Sequence, residues 1–563
     1  MVKRIMVWGS VFMTKKSQTV SIRLLRDGKQ PSNSIRAGVT LTPWYKLEGA
    51  QIALDTIGGG APKWAKFLEL TEAEKASLYN VTAYGLVFVQ SGGRWFAVSF
   101  GLGHVKLDPD AFEQDFGLRV VLNTVDPDKL RSADVRTPDE NTTSRRTQTA
   151  RRSDQTAFSI DIERDIVRGL AGEPKDAAFA SRVAGSDGLT LTKEMEVNDL
   201  PQVCADAFAA FGKTDYQANF AWIDQIKHVR DKATIELLDA ALVAALHGCL
   251  AGAIPDTLHL AYPVIYDPEK ARQIRYKGFG CWNIHTDLEI ADYVADMREK
   301  PLTTYEPGNL ATHRVHEVND EGKDDGQFWR IKECLVFETD LNGEKYVLSA
   351  DRWYKIDTNL ATAVTAFFAG IDQHTMPPAV AGDNEDKYNK RIATAGHNML
   401  CLDRKLVKPT GASYAIEACD FLQNDGAMIH IKDQTSSSRL SHLFNQGTVS
   451  ARVMKMDGAF RDRLRAEIVK QEAALTLTGY QTLVVDAGTP FDVDAHLIVY
   501  AVLSSGVAAG TSRLPFFSLV TFRQAVNELR ALGYKCAFAW IAKPASAKTK
   551  AKRKTAHPGA QAT

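Results

Sequence analysis

No two of the seven cysteines are spaced CxxC, and they lie scattered at positions 204, 249, 281, 334, 401, 419 and 536. This argues against a zinc ribbon or a disulfide framework and suits a reducing, cytoplasmic setting. Long hydrophobic runs are also missing. Ile5 to Met13, interrupted by Gly9 and Ser10, is too short to span a bilayer. Lys15 and Lys16 follow without a small-residue cleavage site, so it reads as a disordered or mis-started N-terminus rather than a signal, and no membrane partner is expected. Net charge is zero, with 68 Lys and Arg against 68 Asp and Glu. Residues 542–563 hold Lys543, Lys548, Lys550, Lys552, Arg553 and Lys554 and no acid, so removing these six leaves 62 bases against 68 acids. The folded body is therefore acidic, and any nucleic-acid contact must use local patches. The basic tail reads as disordered, either a weak polyanion tether or a solubilising extension. The nucleotide, zinc-protease and serine-hydrolase patterns GxxxxGK[ST], HExxH and GxSxG do not occur, and His313 and His316 lack an acidic or sulfur partner at ligand spacing.

What is present is an ordinary globular composition, 45% apolar and 24% charged over 563 residues, enough for two to four domains. The expected class is α/β (or α+β), multidomain. Residues 1–138 read as an N-terminal α/β domain, with strands at Val20–Leu25 and at Leu118–Asn123 and a hairpin of Thr82–Gln90 and Arg94–Phe100 turning at Ser91-Gly92-Gly93. Residues 139–154, DENTTSRRTQTARRSD, contain no large apolar side chain and are expected to be loop. Arg145, Arg146, Arg151 and Arg152 there could clamp phosphates or simply be solvated. A middle region, 155–375, carries a helix at Ala233–Leu250 and a hairpin turning at Asn342-Gly343. A Pro-, Gly- and acid-rich stretch from Met376 separates it from a last folded unit, 383–541.

Tyr414 to Ala451 carries the chemistry. Tyr414–Leu422 and Met428–Asp433 read as strands joined by an Asp425-Gly426 turn, and an amphipathic helix follows from Arg439, a cation available to phosphate. Asp420 lies near the end of the first strand, and His430 and Lys432 share one face of the second. An acid, a ligand-type residue and a lysine can converge at a sheet edge, as phosphodiester hydrolysis requires. Carboxylates hold Mg²⁺ or Mn²⁺, and a lysine orients the attacking water or offsets developing charge. His442, Gln446 and Ser450 recur at four-residue steps as a polar line on the helix.

Strand, Asp420, turn, strand ending in Lys432 and a helix with Gln446 resemble the PD-(D/E)xK restriction-endonuclease-like superfamily. The resemblance implies a C-terminal mixed sheet flanked by helices, Asp420 as metal acid, Lys432 as catalytic lysine and Gln446 beside them. It also implies Glu385, on an upstream helix, as the second metal acid. His430 stands where the pattern has a carboxylate two before the lysine, a residue better suited to Zn²⁺ or Mn²⁺ than to Mg²⁺. Glu417 has the wrong parity relative to Asp420 in an unbulged strand, which favours Glu385. His430 and His442 would shape the site. The whole length also resembles a sporadically distributed, uncharacterised bacterial family through Leu107–Glu113, Phe116–Arg119, Val125–Ser132, Ile429–Lys432 and Leu440–Gly447. That resemblance implies defence against phage or plasmids and brings no reaction. The expectation is a metal-dependent nuclease acting on DNA in preference to RNA. The alternatives are an inactive nucleic-acid sensor or scaffold and a plain hairpin, with homo-oligomerisation left open.

Overall fold

The computed structural model describes residues 15–58, 60–61, 65, 68–78, 81–139, 142–252, 254–264, 273–300, 302, 304–319, 322–395, 397–433, 440–504 and 514–544. The Ile5–Met13 segment, Arg439 and the tail beyond residue 544 therefore lie outside the described residues. The chain forms two compact units, one of residues 1–137 with 144–225 and one of residues 138–143 with 226–563.

The first unit is built on a ten-stranded sheet. Lys16–Leu24 runs antiparallel between Leu189–Met195 and Arg94–Gly101. Val81–Ser91 pairs with Arg94–Gly101 through Gly92 and Gly93, both at positive φ, as the turn requires. Leu118–Asn123 departs from the strand expectation. It belongs to a helix, Phe116–Thr124, that buries Phe116, Leu118, Val120, Val121 and Leu122. A short run that is apolar on every side carries no period, so only its setting decides between strand and helix.

Residues 139–154 also correct the loop expectation, because Thr143–Ser153 is the edge strand of this sheet. An edge strand needs no apolar face when Thr supplies β-propensity and ion pairs tie it down. Arg146 makes two hydrogen bonds to Asp134 at 2.7 and 2.6 Å. Arg152 pairs with Glu173 at 2.8 Å and Arg145 with Asp165 at 3.0 Å. These ion pairs hold the sheet edge, and Arg151 of the same strand is exposed. Asp165 is buried and also accepts from Thr137 Oγ1 at 2.5 Å. Arg145→Ala leaves that carboxylate short of a cation and is expected to cost about 1–3 kcal/mol in chemical denaturation. Arg146→Ala opens an exposed pair and is expected to cost under about 1 kcal/mol. Equal costs would contradict this assignment.

In the second unit, Lys232–Ala251 is the one helix among the described residues that is long and apolar enough to cross a membrane. It exceeds what the sequence suggested, yet it buries Leu238, Leu242 and Leu246 at four-residue steps, as a core-packing helix does. The hairpin Leu335–Leu341 and Glu344–Ser349 turns at Asn342 and Gly343, both at positive φ. Its Glu338 accepts from the backbone of Phe516 at 2.5 Å and Phe517 at 3.2 Å, and burial pushes its carboxyl up to about 7.

A three-stranded antiparallel sheet joins β1 (Gln273–Lys277), β2 (Arg314–Val318) and β3 (Asp324–Arg330). The C-terminal sheet runs in the order β4 (Asp372–Gln373), β9 (Lys535–Ala542), β8 (Leu497–Ser504), β7 (Met428–Asp433), β6 (Phe421–Gln423) and β5 (Met399–Cys401). β7, β8 and β9 are parallel neighbours, and their apolar runs are buried on both faces. On one face Ile429, Ile431, Val499 and Ala537 pack with Tyr388 and Ile392 of helix α1 (Glu385–Thr394). On the other, helix α2 (Leu440–Met456) sets Phe444 5.3 Å from Tyr500, and helix α3 (Phe516–Ala531) sets Phe522 5.6 Å from Phe538. Gly447 lets α2 descend onto the sheet, because a Cβ there would lie 2.5 Å from the Tyr500 ring. The class is thus mixed α/β with several sheets.

Candidate active site

The site forms where the sheet forks. β6 and β7 pair only at Phe421 with Ile429 and Leu422 with Met428. Beyond that point β7 continues and β6 has not yet begun. Asp420 fills the gap. Its backbone N–H donates to Ile429 O at 2.9 Å, and its carboxylate accepts the Ile431 N–H at 2.8 Å. The other carboxylate oxygen accepts from Asn389 Nδ2 of α1 at 3.2 Å.

Glu385 is the first residue of α1, where a carboxylate is favoured by the helix dipole. Asn384 caps that helix by accepting from Lys387 N at 3.0 Å. Lys432 Nζ, near the end of β7, donates to Glu385 Oε1 at 2.6 Å. Both side chains are partly exposed, at 17% and 20%. Gln446 Nε2 on α2 donates to Glu417 Oε2 at 2.7 Å. The charges of Lys432, Glu417 and Glu385 all act on Asp420. Burial pushes the Asp420 carboxyl up to about 8; the Ile431 N–H and Lys432 hold it down, and Glu417 and Glu385 raise it further.

Glu417 was disfavoured from the sequence by strand parity, and the structure removes the premise. Tyr414–Leu422 is not one strand. Ile416–Glu417 pairs with Leu406–Val407 in a separate two-stranded sheet, and 418–420 crosses between sheets. Alternation does not carry across such a break. No signal in the local pattern marks it.

His430 is a correction in the other direction. It is fully buried, with Nε2 3.3 Å from Ser450 Oγ and its ring 6.1 Å from Tyr500. Burial, with the Lys432 charge acting the same way, pushes it down to about 3, so the imidazole is neutral. It shares a strand face with Lys432, but α2 covers that face at His430. Ser450 is thereby used in the core, and His442 is exposed on α2 outside these hydrogen bonds. Asn389 was not foreseen. It is fully buried, and its Oδ1 has no hydrogen-bond partner.

Asp420, Glu385 and Glu417 are carboxylates of the kind a hard divalent cation takes, but their ligand atoms do not form a group within 4.8 Å of one another among the described residues, and Glu417 accepts from both Gln446 Nε2 and the Arg404 N–H. Among the described residues, a group of metal-ligand atoms lying within 4.8 Å of one another occurs elsewhere, at Cys281, Asp296 and Glu299. There Asn283 Nδ2 already donates to Asp296 at 2.7 Å and Glu299 at 2.9 Å.

A model of a family of unknown function, DUF6119, matches residues 10–542. Comparison with curated proteins and with solved structures gives no match.

Proposed function

The chain belongs to the DUF6119 family of unknown function, and from the forked-sheet site we propose that it is a divalent-metal-dependent nuclease acting on DNA. The observation that carries this reading is the Lys432–Glu385 contact at 2.6 Å beside Asp420, at the open end of a strand fork. The mixed sheet with helices on both faces suits the PD-(D/E)xK arrangement. Asp420 and Glu385 would hold Mg²⁺ or Mn²⁺, with Glu417 in place of the carboxylate that His430 does not supply. When bound, the ion supplies a polarised phosphate oxygen and a water of lowered pKa.

The chain's own groups do the rest. Among the described residues Lys432 is the cation within hydrogen-bond reach of Glu385, and it is partly exposed, so it can meet a phosphate oxygen or hold the attacking water. Gln446 fixes the Glu417 carboxylate, and Asn389 fixes Asp420. Cytoplasmic defence against phage or plasmids is the setting that the family resemblance implies, and the seven free thiols suit it.

Full-length protein is expected to nick supercoiled plasmid with Mg²⁺ or Mn²⁺. Lys432→Ala should lower the rate by at least roughly a hundredfold, the scale of losing one preorganised charge. Cutting that survives this change would assign the activity elsewhere. One observation favours an inactive nucleic-acid binder instead: Asp420 is only 2% exposed. That reading predicts salt-dependent binding without product.

A further inference from the structure

The outer face of the sheet β1–β3 carries cations and aromatics with no role in the site above. Ile274, Tyr276, Val315 and Trp329 point inward and are buried. The alternate residues face outward, and the register sets them in rows. Arg275 lies opposite His316, and His316 opposite Phe328. Lys277 lies opposite Arg314 in the next row. Phe328 is 50% exposed, its ring stacked 5.1 Å from His316 at 17° with the Arg314 guanidinium 5.4 Å from its centroid. Trp282, on the loop after β1, is 70% exposed, with the Arg275 guanidinium 5.5 Å and the Lys277 ammonium 5.6 Å from its ring.

Leaving large aromatic rings in water is unfavourable, and these are held there. Arg275 Nε donates to Trp282 O at 3.2 Å. Asn283 is tied to Asp296 and Glu299, and His285 Nε2 lies 2.9 Å from Asp296. The loop is thus pinned on both sides of the indole. The facing charge is positive. Arg275 is buried and, with Lys277, pairs with Asp324, so Arg314 and Lys277 are the cations of these rows that reach the surface. Burial and the Lys277 charge hold His316 below its ordinary value, so it is neutral near pH 7.

We propose that this face binds single-stranded nucleic acid, with bases stacking on Trp282 and Phe328 and phosphates meeting Arg314 and Lys277, while the buried Arg275 holds the Trp282 loop. Flat exposed rings accept the faces of unpaired bases, and the cations between them suit the backbone. A duplex hides its base faces and offers the rings nothing to stack on. The proposal shares a nucleic-acid ligand with the nuclease reading but needs no metal, so either can fail alone.

The test is fluorescence anisotropy with labelled dT20 and, in parallel, U20, using full-length protein in EDTA. The double variant Trp282→Ala/Phe328→Ala should weaken binding at least about tenfold, since stacking contributes about 1–3 kcal/mol per base. Arg314→Ala should flatten the plot of log K against log salt by about 0.7, one phosphate's worth. The basic tail is common to all variants, so these differences isolate the sheet. Both aromatics are exposed, and an unchanged melting temperature will confirm folding. A preference for dT20 or U20 identifies DNA or RNA as the ligand, and either outcome supports the proposal. Absence of binding to both at 50 mM salt overturns it, as does a double variant that binds like the parent or a duplex of equal length that competes as well as the single strand.

Discussion

Asp420→Asn is expected to raise the melting temperature at pH 8 in EDTA while abolishing metal-dependent cleavage. The carboxyl is pushed up to about 8 in the folded protein, against about 3.9 in an unfolded chain. Between those values the folded state holds a proton that the unfolded state has released. Stability therefore falls as pH rises from about 4 to about 8, by up to about 1.4 kcal/mol per unit. An amide at this position has no such titration. Its oxygen can accept the Ile431 N–H that Asp420 accepts at 2.8 Å. Its nitrogen takes the place of the oxygen that accepts Asn389 Nδ2, and a flip of that amide presents the unpartnered Asn389 Oδ1 to it. The gain should be on the order of a few kcal/mol at pH 8 and vanish toward pH 4. Added Mn²⁺ should raise the melting temperature of the parent and not of the variant, because only the carboxylate binds the ion in preference to the unfolded chain. A variant less stable than the parent at pH 8 would show that Asp420 is ionised and satisfied without metal.

Gly117→Ala is expected to have the largest effect on stability. Gly117 opens the helix Phe116–Thr124 where it meets the turn between Arg182–Gly185 and Leu189–Met195. A Cβ there would lie 1.9 Å from Gly188 O, and one on Gly185 would lie 2.0 Å from Gly117 O. Both obstacles are backbone atoms held by the Leu118 N–H donating to Ser186 O at 2.8 Å. No side chain can swing aside, so the helix must lift from its sheet and open the core around Phe116 and Val120. The expected loss is roughly 3 kcal/mol or more, read as a collapse of the melting temperature or of soluble yield. Gly248→Ala is the control. It lies within the helix Lys232–Ala251, with nothing within 4 Å of the added carbon. It should stabilise by up to about 1 kcal/mol through helix propensity. Equal behaviour of the two variants would refute the close-approach argument.

What the sequence determined by itself is what local physics encodes. Asn342-Gly343 and Gly92-Gly93 demand positive φ and so place two hairpins. The short apolar runs Leu497–Leu503 and Tyr534–Ile541 read as strands, although their parallel pairing is a property of the fold. The acid, the lysine and the Gln-bearing helix follow one another at readable intervals, and Lys432 and Glu385 end in contact. Tertiary structure alone decided which faces are covered and where strands stop. α2 closes over His430 and spares Lys432, two residues further along the same face. The chain leaves one sheet at Glu417 and enters another at Phe421, which brings Glu417 to Gln446. Thr143–Ser153 becomes a strand because Asp134, Asp165 and Glu173 wait at the sheet edge. In each case the deciding partner lies far off in the sequence. A residue's period reports which way it points, but whether that direction meets water, a carboxylate or another helix is settled only when the distant segment arrives.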